Sequence, residues 1–599
     1  MVNSDASKDA GAEQEGTKAV MKGTKEVTGA QALVDSLVKA GVQVVFGYPG
    51  GGALDIFDCL PEAPFAFVLG RHEQGCVHMA DGYARACGRP GVCIVTSGPG
   101  ATNTITGLAT ANSDGVPLIC ITGQVPITQI GSDAFQEVDM VGISRAVTKH
   151  SFLVQTADEL PEIVAQAFYI ATHGKPGPVA IDVPKNVQRQ LTRAVYPERV
   201  TMRAYHPECV ASSQEIAKLA KLINEAERPV LYVGGGVISA GASMDVSDLA
   251  HKAEIPVATT LMGLGAFDEH DPLSLRMAGM HGTCAANYAI NEADLIVALG
   301  CRFSDRVTGK LGSYAPNAKI VHVDCDRASL NKNVKTYLAI HADVKDVLST
   351  VDARVHPAKH TEWIKRIAKW KKDRPVKYRQ MHEGVIMPQS VVEAIDRVTD
   401  GRAIIVTDVG QHQMWAAQFF RHNRPRHFLS SGGMGTMGFG FPAAIGAQAA
   451  RLNKRVVCIC GDGGAQMTFE EVVVAVEHKL PVTFVIINNE CLGMVRQWQE
   501  LFYRKRYSGS ILSPKGRLPN ERIDEAALKY DYRPDFVMMA KAHGAEAVRV
   551  IDPAKLNDAL RDAIMSDKTS LVEVVVEPRA NVYPMQPGGQ PVSGMIFED

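Results

Sequence analysis

The sequence predicts an α/β protein built from three consecutive parallel-sheet domains. Strand-length apolar runs alternate with helical segments along most of the chain, the rhythm of strand–helix–strand units that assemble parallel sheets. The length, 599 residues, corresponds to roughly three or four domains of about 150 residues each. Domains of that size bury about 70% of their unfolded surface, so no metal or disulfide staple is required.

Residues 1–25 are polar, with Asp5, Asp9, Glu13 and Glu15 among small residues, and read as a disordered tail. A signal peptide needs an apolar core and an organelle presequence is poor in acids, so neither fits. The first domain, 26–190, opens with a helix at 30–40 and a strand at 42–48 that runs into Pro49-Gly50-Gly51-Gly52. A strand-like run at 65–69 leads to a helix starting at Arg71-His72-Glu73, and strands follow at 92–96, 118–122 and 179–183. The second domain, 191–357, begins with a polar linker at 191–213. Its strands fall at 229–233, before Gly234-Gly235-Gly236, and at 295–299 and 320–323. Residues 359–377 are rich in charge, with Trp363 and Trp370 on one helical face, and form a connecting helix into the third domain, 358–575. That domain opens with a strand at 404–406. Its clearest unit is a strand at 456–460, a helix at 469–478 and a strand at 482–487, and residues 576–599 remain as a C-terminal lid or tail. The first and third blocks look alike in size and pattern.

The formal net charge of −2 leaves no positive field for a polyanion, which argues against nucleic acid as the main partner. No apolar stretch approaches the ~20 residues of a membrane helix. Twelve Cys are too sparse for a disulfide scaffold, and Cys93, Cys120, Cys458 and Cys460 lie inside apolar runs, where a reduced thiol is a small core side chain. No pair has zinc-ligand spacing. A reducing compartment, and so the cytoplasm, is expected.

Two segments carry chemistry. Gly461-Asp462-Gly463-Gly464 ends one strand, and Asn488-Asn489 ends the next. A right-handed strand–helix–strand unit brings both carboxyl ends to one crevice, where open α/β sheets bind ligands. A carboxylate with an amide oxygen suits a hard cation such as Mg²⁺, completed by a carbonyl, water and phosphate oxygens. The glycines admit phosphates to a helix N-terminus. Each segment taken alone is also the composition of a tight turn. Far upstream, Glu73 opens a helix, where by local sequence it could be a helix-terminal charge worth ~0.3–1 kcal/mol.

Together these segments resemble the signature of the thiamine-diphosphate enzymes, and four further stretches make the chain similar, from about residue 27 to 595, to the large catalytic subunits of acetolactate (acetohydroxyacid) synthase. They are Phe46-Gly47-Tyr48-Pro49-Gly50-Gly51; Gly123-Gln124-Val125-Pro126 with residues 131–137; Gly279-Met280-His281-Gly282 with residues 302–307; and Leu492-Gly493-Met494-Val495-Arg496-Gln497-Trp498.

The resemblance implies a pyrimidine-binding first domain, a central FAD-binding domain and a diphosphate-binding third domain. It implies Mg²⁺ on Asp462, Asn489 and the carbonyl of Cys491. Glu73 would be the catalytic residue, hydrogen-bonding the aminopyrimidine ring so that the thiazolium carbon loses its proton. Pro49, Gly50, Val409, Gly410, Gln411, His412, Gly435, Gly461, Gly463, Gly464 and Met494 match residues around the cofactor, and Met437 matches the apolar side chain that keeps it bent. The implied chemistry is decarboxylation of pyruvate on the cofactor, followed by attack of the hydroxyethyl carbanion on pyruvate or 2-oxobutyrate, the first common step of branched-chain amino acid synthesis. Arg306 would pair with the acceptor carboxylate. Trp498 would favour the extra methylene of 2-oxobutyrate by ~1–3 kcal/mol. Phe135, Gln136, Lys185 and Met494 match other substrate-lining positions. Read without the resemblance, Arg306 is a surface or flavin-contacting arginine, Trp498 a partly buried aromatic and Met494 core packing.

Flavin contacts are implied at Lys175, Gly234, Gly235, Gly236, Thr260, Leu261, Met262, Met280, His281, Gly300, Arg302, Arg306, Val307, Asp324 and Asp343, although an acid after a strand also caps helices. In this family the flavin is largely structural. A homodimer or homotetramer is implied, with Glu73 meeting the partner's third domain, as is a separate regulatory small subunit. Four departures stand out: Lys175 where the family usually has Arg, Ser304 where many members have Asp, a long segment at 508–535, and a Pro587-Gly588-Gly589 tail that differs after Tyr583-Pro584-Met585. The competing readings are an FAD-dependent pyruvate oxidase, a flavin-free catabolic acetolactate synthase and a non-catalytic paralogue.

Overall fold

In the computed structural model, which describes residues 26–512 and 534–598, the alternation resolves into three six-stranded sheets, each parallel throughout. With strands counted in chain order within each sheet, the first and third share the order 2-1-3-4-6-5, while the middle runs 3-2-1-4-5-6. The likeness expected between the outer blocks is thus a shared topology.

Most of the predicted strands are central ones: Val44–Tyr48, Gly91–Val95, Leu118–Gln124 and Pro178–Pro184 in the first sheet; Pro229–Val233, Leu295–Leu299 and Lys319–Asp324 in the middle; and Ile404–Thr407, Val456–Gly461 and Val482–Asn488 in the third. The predicted run at 65–69 is Ala66–Leu69, an edge strand of the first sheet. Helices cover both faces of a parallel sheet, so such strands read as continuous apolar runs.

The stretch expected as linker begins with a strand. Leu191–Thr192 pairs antiparallel with Val27–Thr28, and Gly29 N donates to the Gln190 carbonyl at 2.8 Å. The charge-rich helix, Thr361–Asp373, packs on the middle sheet. There Trp363 is buried, donates Nε1 to the Pro229 carbonyl (3.1 Å) and meets Trp370 edge-on at 5.7 Å.

The first and third domains lie against each other through helices Glu73–Cys87 and Gly440–Ala450. A Cβ at Gly82 would run into the backbone of Ala443, and one at Gly446 into that of Met79, so glycine sets how closely the helices approach. Beside them sits a buried ionic junction. Arg85 pairs with Asp81 and with Asp114 (3.0 Å) and donates Nη1 to the Ser430 carbonyl (2.9 Å). Asp114 accepts from Gly433 N (2.7 Å), and Arg302 of the middle domain donates Nη1 to the Ser113 carbonyl (2.6 Å).

Residues 576–598 run as a packed strap. Val582 and Met585 are buried; Val582 N donates to Gln497 Oε1 (2.9 Å), and Gln586 N to the Met280 carbonyl (2.7 Å). The expected tail at 1–25, and residues 513–533 of the long segment, lie outside the described residues. Among the described residues no helix is long and apolar enough to cross a membrane.

Candidate active site

In an open parallel sheet the connections leave in opposite directions at one point of the strand order, and a crevice opens there beyond the carboxyl ends of two adjacent strands. The third sheet has this point between Ile404–Thr407 and Val456–Gly461, so residues 408–412 and 461–464 share a crevice. The first sheet has it between Val44–Tyr48 and Gly91–Val95, and the middle sheet between Pro229–Val233 and Leu295–Leu299. The sequence-predicted glycine loops fall at all three.

In the third domain three oxygens converge. The side-chain oxygen of Asn489 lies 2.9 Å from the Cys491 carbonyl oxygen and 3.3 Å from Asp462 Oδ1. Turning the Asn489 amide over would make hydrogen bonds of these approaches, but Gln411 opposes it. Gln411 donates Nε2 to Gln497 Oε1 (2.9 Å) and the Ala580 carbonyl (3.0 Å), which leaves its Oε1 to accept from Asn489 Nδ2 at 3.2 Å. Oxygens ~2.1 Å from a metal in octahedral geometry are ~3 Å apart, so the triad fits a hard cation. The described residues hold no group of three or more His, Cys, Asp or Glu placed for a metal, as expected where an amide and a carbonyl supply two of three ligands. Burial pushes the Asp462 carboxyl up to about 8, which a cation would reverse.

The same crevice holds Asp408, which accepts from the main-chain N of Val409 (2.8 Å), Gly438 (3.0 Å) and Gly440 (2.8 Å). Burial pushes its carboxyl up to about 6 against those donors. A Cβ at Gly464 would strike the Asp408 carboxylate, and one at Gly461 would come within 2.9 Å of His412 Nδ1. His412 is buried with Nε2 unpartnered, and burial lowers it to about 4, so it is a neutral imidazole here. Met437 lies beside Gly463, Gly435 takes a left-handed φ of 66°, and Met494 packs on the core below.

In the first domain His72 caps the helix, its Nδ1 accepting from Gln74 N (3.1 Å), and Glu73 Oε2 accepts from Asn103 Nδ2 (3.0 Å). Gly100 lies between Thr96 and Glu73; Gly50, next to Pro49, rests on Thr96; Gly98 touches Gln136. Lys185 donates Nζ to the Gly51 carbonyl (2.9 Å), and Phe135 is 87% exposed at this rim. The structure therefore gathers Gly50, Glu73, Gln136 and Lys185. The side-chain hydrogen bond of Glu73 goes to Asn103, within its own domain.

In the middle domain Gly234 and Gly236 lie against Gly300, and Met262 touches Gly235 and, in the third domain, Gly432. Thr260 caps the Leu261–Gly263 turn. Met280 N donates to the Arg306 carbonyl (2.6 Å), Val307 lies beside Gly279, and His281 is buried with Nδ1 unpartnered. The Arg306 guanidinium stands 6.0 Å over the Trp498 ring, which brings two distant predictions together across a domain boundary. Lys175 reaches Asp326 at 3.7 Å, beside Asp324, whose Oδ1 accepts from Asp326 N (2.7 Å). Asp343 caps the helix Val344–Asp352. Sequence reasoning missed Asp408, Asn103, Asp114 and Glu471. Asp408, like Asp462, follows a strand end, with a glycine two positions on at Gly410, a signal that was there to find.

Three family models match the chain. They are the N-terminal TPP binding domain of thiamine pyrophosphate enzymes over residues 27–143, the central domain over 216–351, and the C-terminal TPP binding domain over 408–574. The chain is also similar to the acetolactate synthase large subunit of Parasynechococcus marenigrum, 45% identical with 95% of this chain and 91% of that one covered. The acetolactate synthase large subunit of Haemophilus influenzae is 42% identical, with 96% and 98% covered. The mitochondrial acetolactate synthase catalytic subunit of Saccharomyces cerevisiae is 43% identical, with 96% and 84% covered.

Proposed function

We infer the reaction from the family: the chain belongs to the thiamine pyrophosphate enzymes and, among them, to the acetolactate synthase large subunits. It is a thiamine-diphosphate-dependent carboligase that takes a two-carbon unit from pyruvate and joins it to a second 2-oxoacid. The products are 2-acetolactate from pyruvate and 2-aceto-2-hydroxybutyrate from 2-oxobutyrate. Bound thiamine diphosphate supplies the carbanion-stabilising centre.

The chain's residues bind, aim and move protons. Asp462, Asn489 and the Cys491 carbonyl would hold Mg²⁺, through which the diphosphate is anchored, and Gly461 and Gly464 leave room beside them for His412 and Asp408. Glu73, aimed by Asn103, would exchange a proton with the aminopyrimidine. Arg306 would bind the acceptor carboxylate in front of the Trp498 ring, and this contact is the observation that carries the carboligase reading. FAD would lie at the middle crevice beside Gly234, Gly236 and Gly300. There Lys175, paired to Asp326, offers a point charge instead of a planar fork.

Phe135, standing 87% exposed at the rim beside Gln136, supports a homo-oligomer in which a second copy completes each site. The relatives' designation as large subunits supports a small regulatory partner. Twelve unpaired cysteines support a reducing compartment, the cytoplasm.

The test is product formation from pyruvate, with and without 2-oxobutyrate, by protein stripped of cofactors and resupplied with thiamine diphosphate, Mg²⁺ and FAD singly and together. Acetolactate made only with all three, and 2-aceto-2-hydroxybutyrate winning in competition, are the expected results. Acetate or acetyl phosphate with flavin turnover would replace this reading with an oxidase. Activity without FAD would replace it with the flavin-free synthase.

A further inference from the structure

We propose that Glu471 is a positioning residue for Glu73, holding from the third domain the turn that aims the relay carboxylate; the proposal rests on the reading of Glu73 given above. The Glu471 carboxylate is buried and accepts from two consecutive main-chain donors of the first domain. Its Oε1 takes His72 N at 3.0 Å and its Oε2 takes Arg71 N at 3.1 Å. These are the two residues immediately before Glu73. The first amides of a helix have no partner within it, so whatever accepts from this turn fixes how the helix starts. The fit is close: a Cβ at Gly75 would collide with Glu471 Oε1. Burial raises the proton affinity of the carboxyl and the Glu470 charge adds to it, while the donors from Arg71 and His72 and the Arg71 guanidinium, itself paired with Glu477 (2.6 Å), work against that rise.

Glu471 is also tied to the cation loop. It stands nine residues after Asp462. Thr468, between them, donates Oγ1 to the Gly438 carbonyl (3.0 Å), and Gly438 N donates to Asp408. If Glu73 serves the cofactor held by the partner subunit's third domain, Glu471 links the diphosphate loop of one site to the relay of the other. A misplacement of ~1 Å in a reacting group costs about 10²-fold in rate, so loss of this hold is measurable.

Two readouts test the hold. In cofactor-free protein, amide hydrogen exchange of residues 70–75 should rise tenfold or more in Glu471→Ala. In loaded protein, hydrogen–deuterium exchange at the thiazolium carbon should slow tenfold or more. Glu471→Gln, whose one oxygen can still accept from His72 N and, at the longer 3.3 Å, from Arg71 N, should lose less than Glu471→Ala on both, and if the Ala variant does not fold, Glu471→Asp takes its place. Unchanged exchange in both readouts overturns the proposal.

Hybrid dimers with two affinity tags test the link. With Glu471→Ala and Glu73→Gln on the same chain, the remaining site should work at the wild-type rate. With the two on opposite chains, activity should fall at least a further tenfold. The reverse pattern would mean that Glu471 serves its own loop, and the proposal fails. A hybrid of Glu73→Gln with Asp462→Ala first checks the cross-chain reading: recovery of one working site supports it. No recovery removes that reading and the link, and leaves the hold to be judged by the exchange rates.

Discussion

Gln411 commits its amide nitrogen to Gln497 and Ala580, so its oxygen can only accept; Asn489 must then present nitrogen to it and oxygen to Asp462 and Cys491. Residues that orient metal ligands typically contribute 10–100-fold in affinity. Gln411→Ala, which lets the Asn489 amide turn over, should therefore raise the Mg²⁺ concentration needed for thiamine diphosphate binding by about tenfold or more, read by titration. An unchanged requirement would refute the oxygen triad. At the acceptor, Trp498→Leu should keep acetolactate formation and lose about 1–3 kcal/mol of preference for 2-oxobutyrate, measured by product competition. Asp462 and Asn489 were legible because their spacing places both at strand ends of one unit. Glu471 and Asn103 were not, because each acts through a partner hundreds or tens of positions away and has no local pattern of its own.

Among the elements, most of the buried central strands announced themselves as apolar runs, as did the edge strand Ala66–Leu69, whereas Phe428–Ser430, Ser274–Met277 and His150–Leu153, also at sheet edges, are short and mixed in polarity. An edge strand contacts the core with fewer residues, so fewer of them need be apolar, and its signal fades. The helix Thr361–Asp373 shows the opposite case. Its seven-residue tryptophan spacing was readable, but the sheet it would cover was not. Because Trp363 is buried and hydrogen-bonded to Pro229, Trp363→Ala should destabilise the middle domain by about 3–5 kcal/mol, seen as an earlier unfolding step in denaturant. An unshifted transition would place the helix elsewhere.

For the whole molecule, the buried carboxyls set a pH dependence. Burial pushes Asp182 up to about 7 and Glu471 up to about 8, from ordinary values near ~4. The folded chain keeps protons that the unfolded chain releases near pH ~4, so their contribution is complete below that pH and is lost as pH rises through 7 and 8. Buried histidines work the other way: His78, His281, His412 and His427, lowered to between about 3 and 4, leave the unfolded chain the stronger proton binder up to pH ~7, and above that they are neutral in both states. The melting temperature of the cofactor-free protein should fall between about pH 7 and 8.5, less so in Glu471→Gln. Asp462 adds to the fall until Mg²⁺ is supplied. A flat profile would contradict the burial assigned to these groups. The three-domain order was legible in the sequence. The way the domains meet was not, since the Arg85–Asp114 junction and the Gly82–Gly446 approach join segments with no shared pattern.

The short ribbon between Val27–Thr28 and Leu191–Thr192 brings the first domain's beginning and end side by side. A fold whose two ends touch behaves as a closed ring with one seam. Such a ring could be fused at the seam and reopened at a surface loop, or transplanted whole into a host loop, with its sheet order untouched. Its neighbours need only a two-point hinge to receive it.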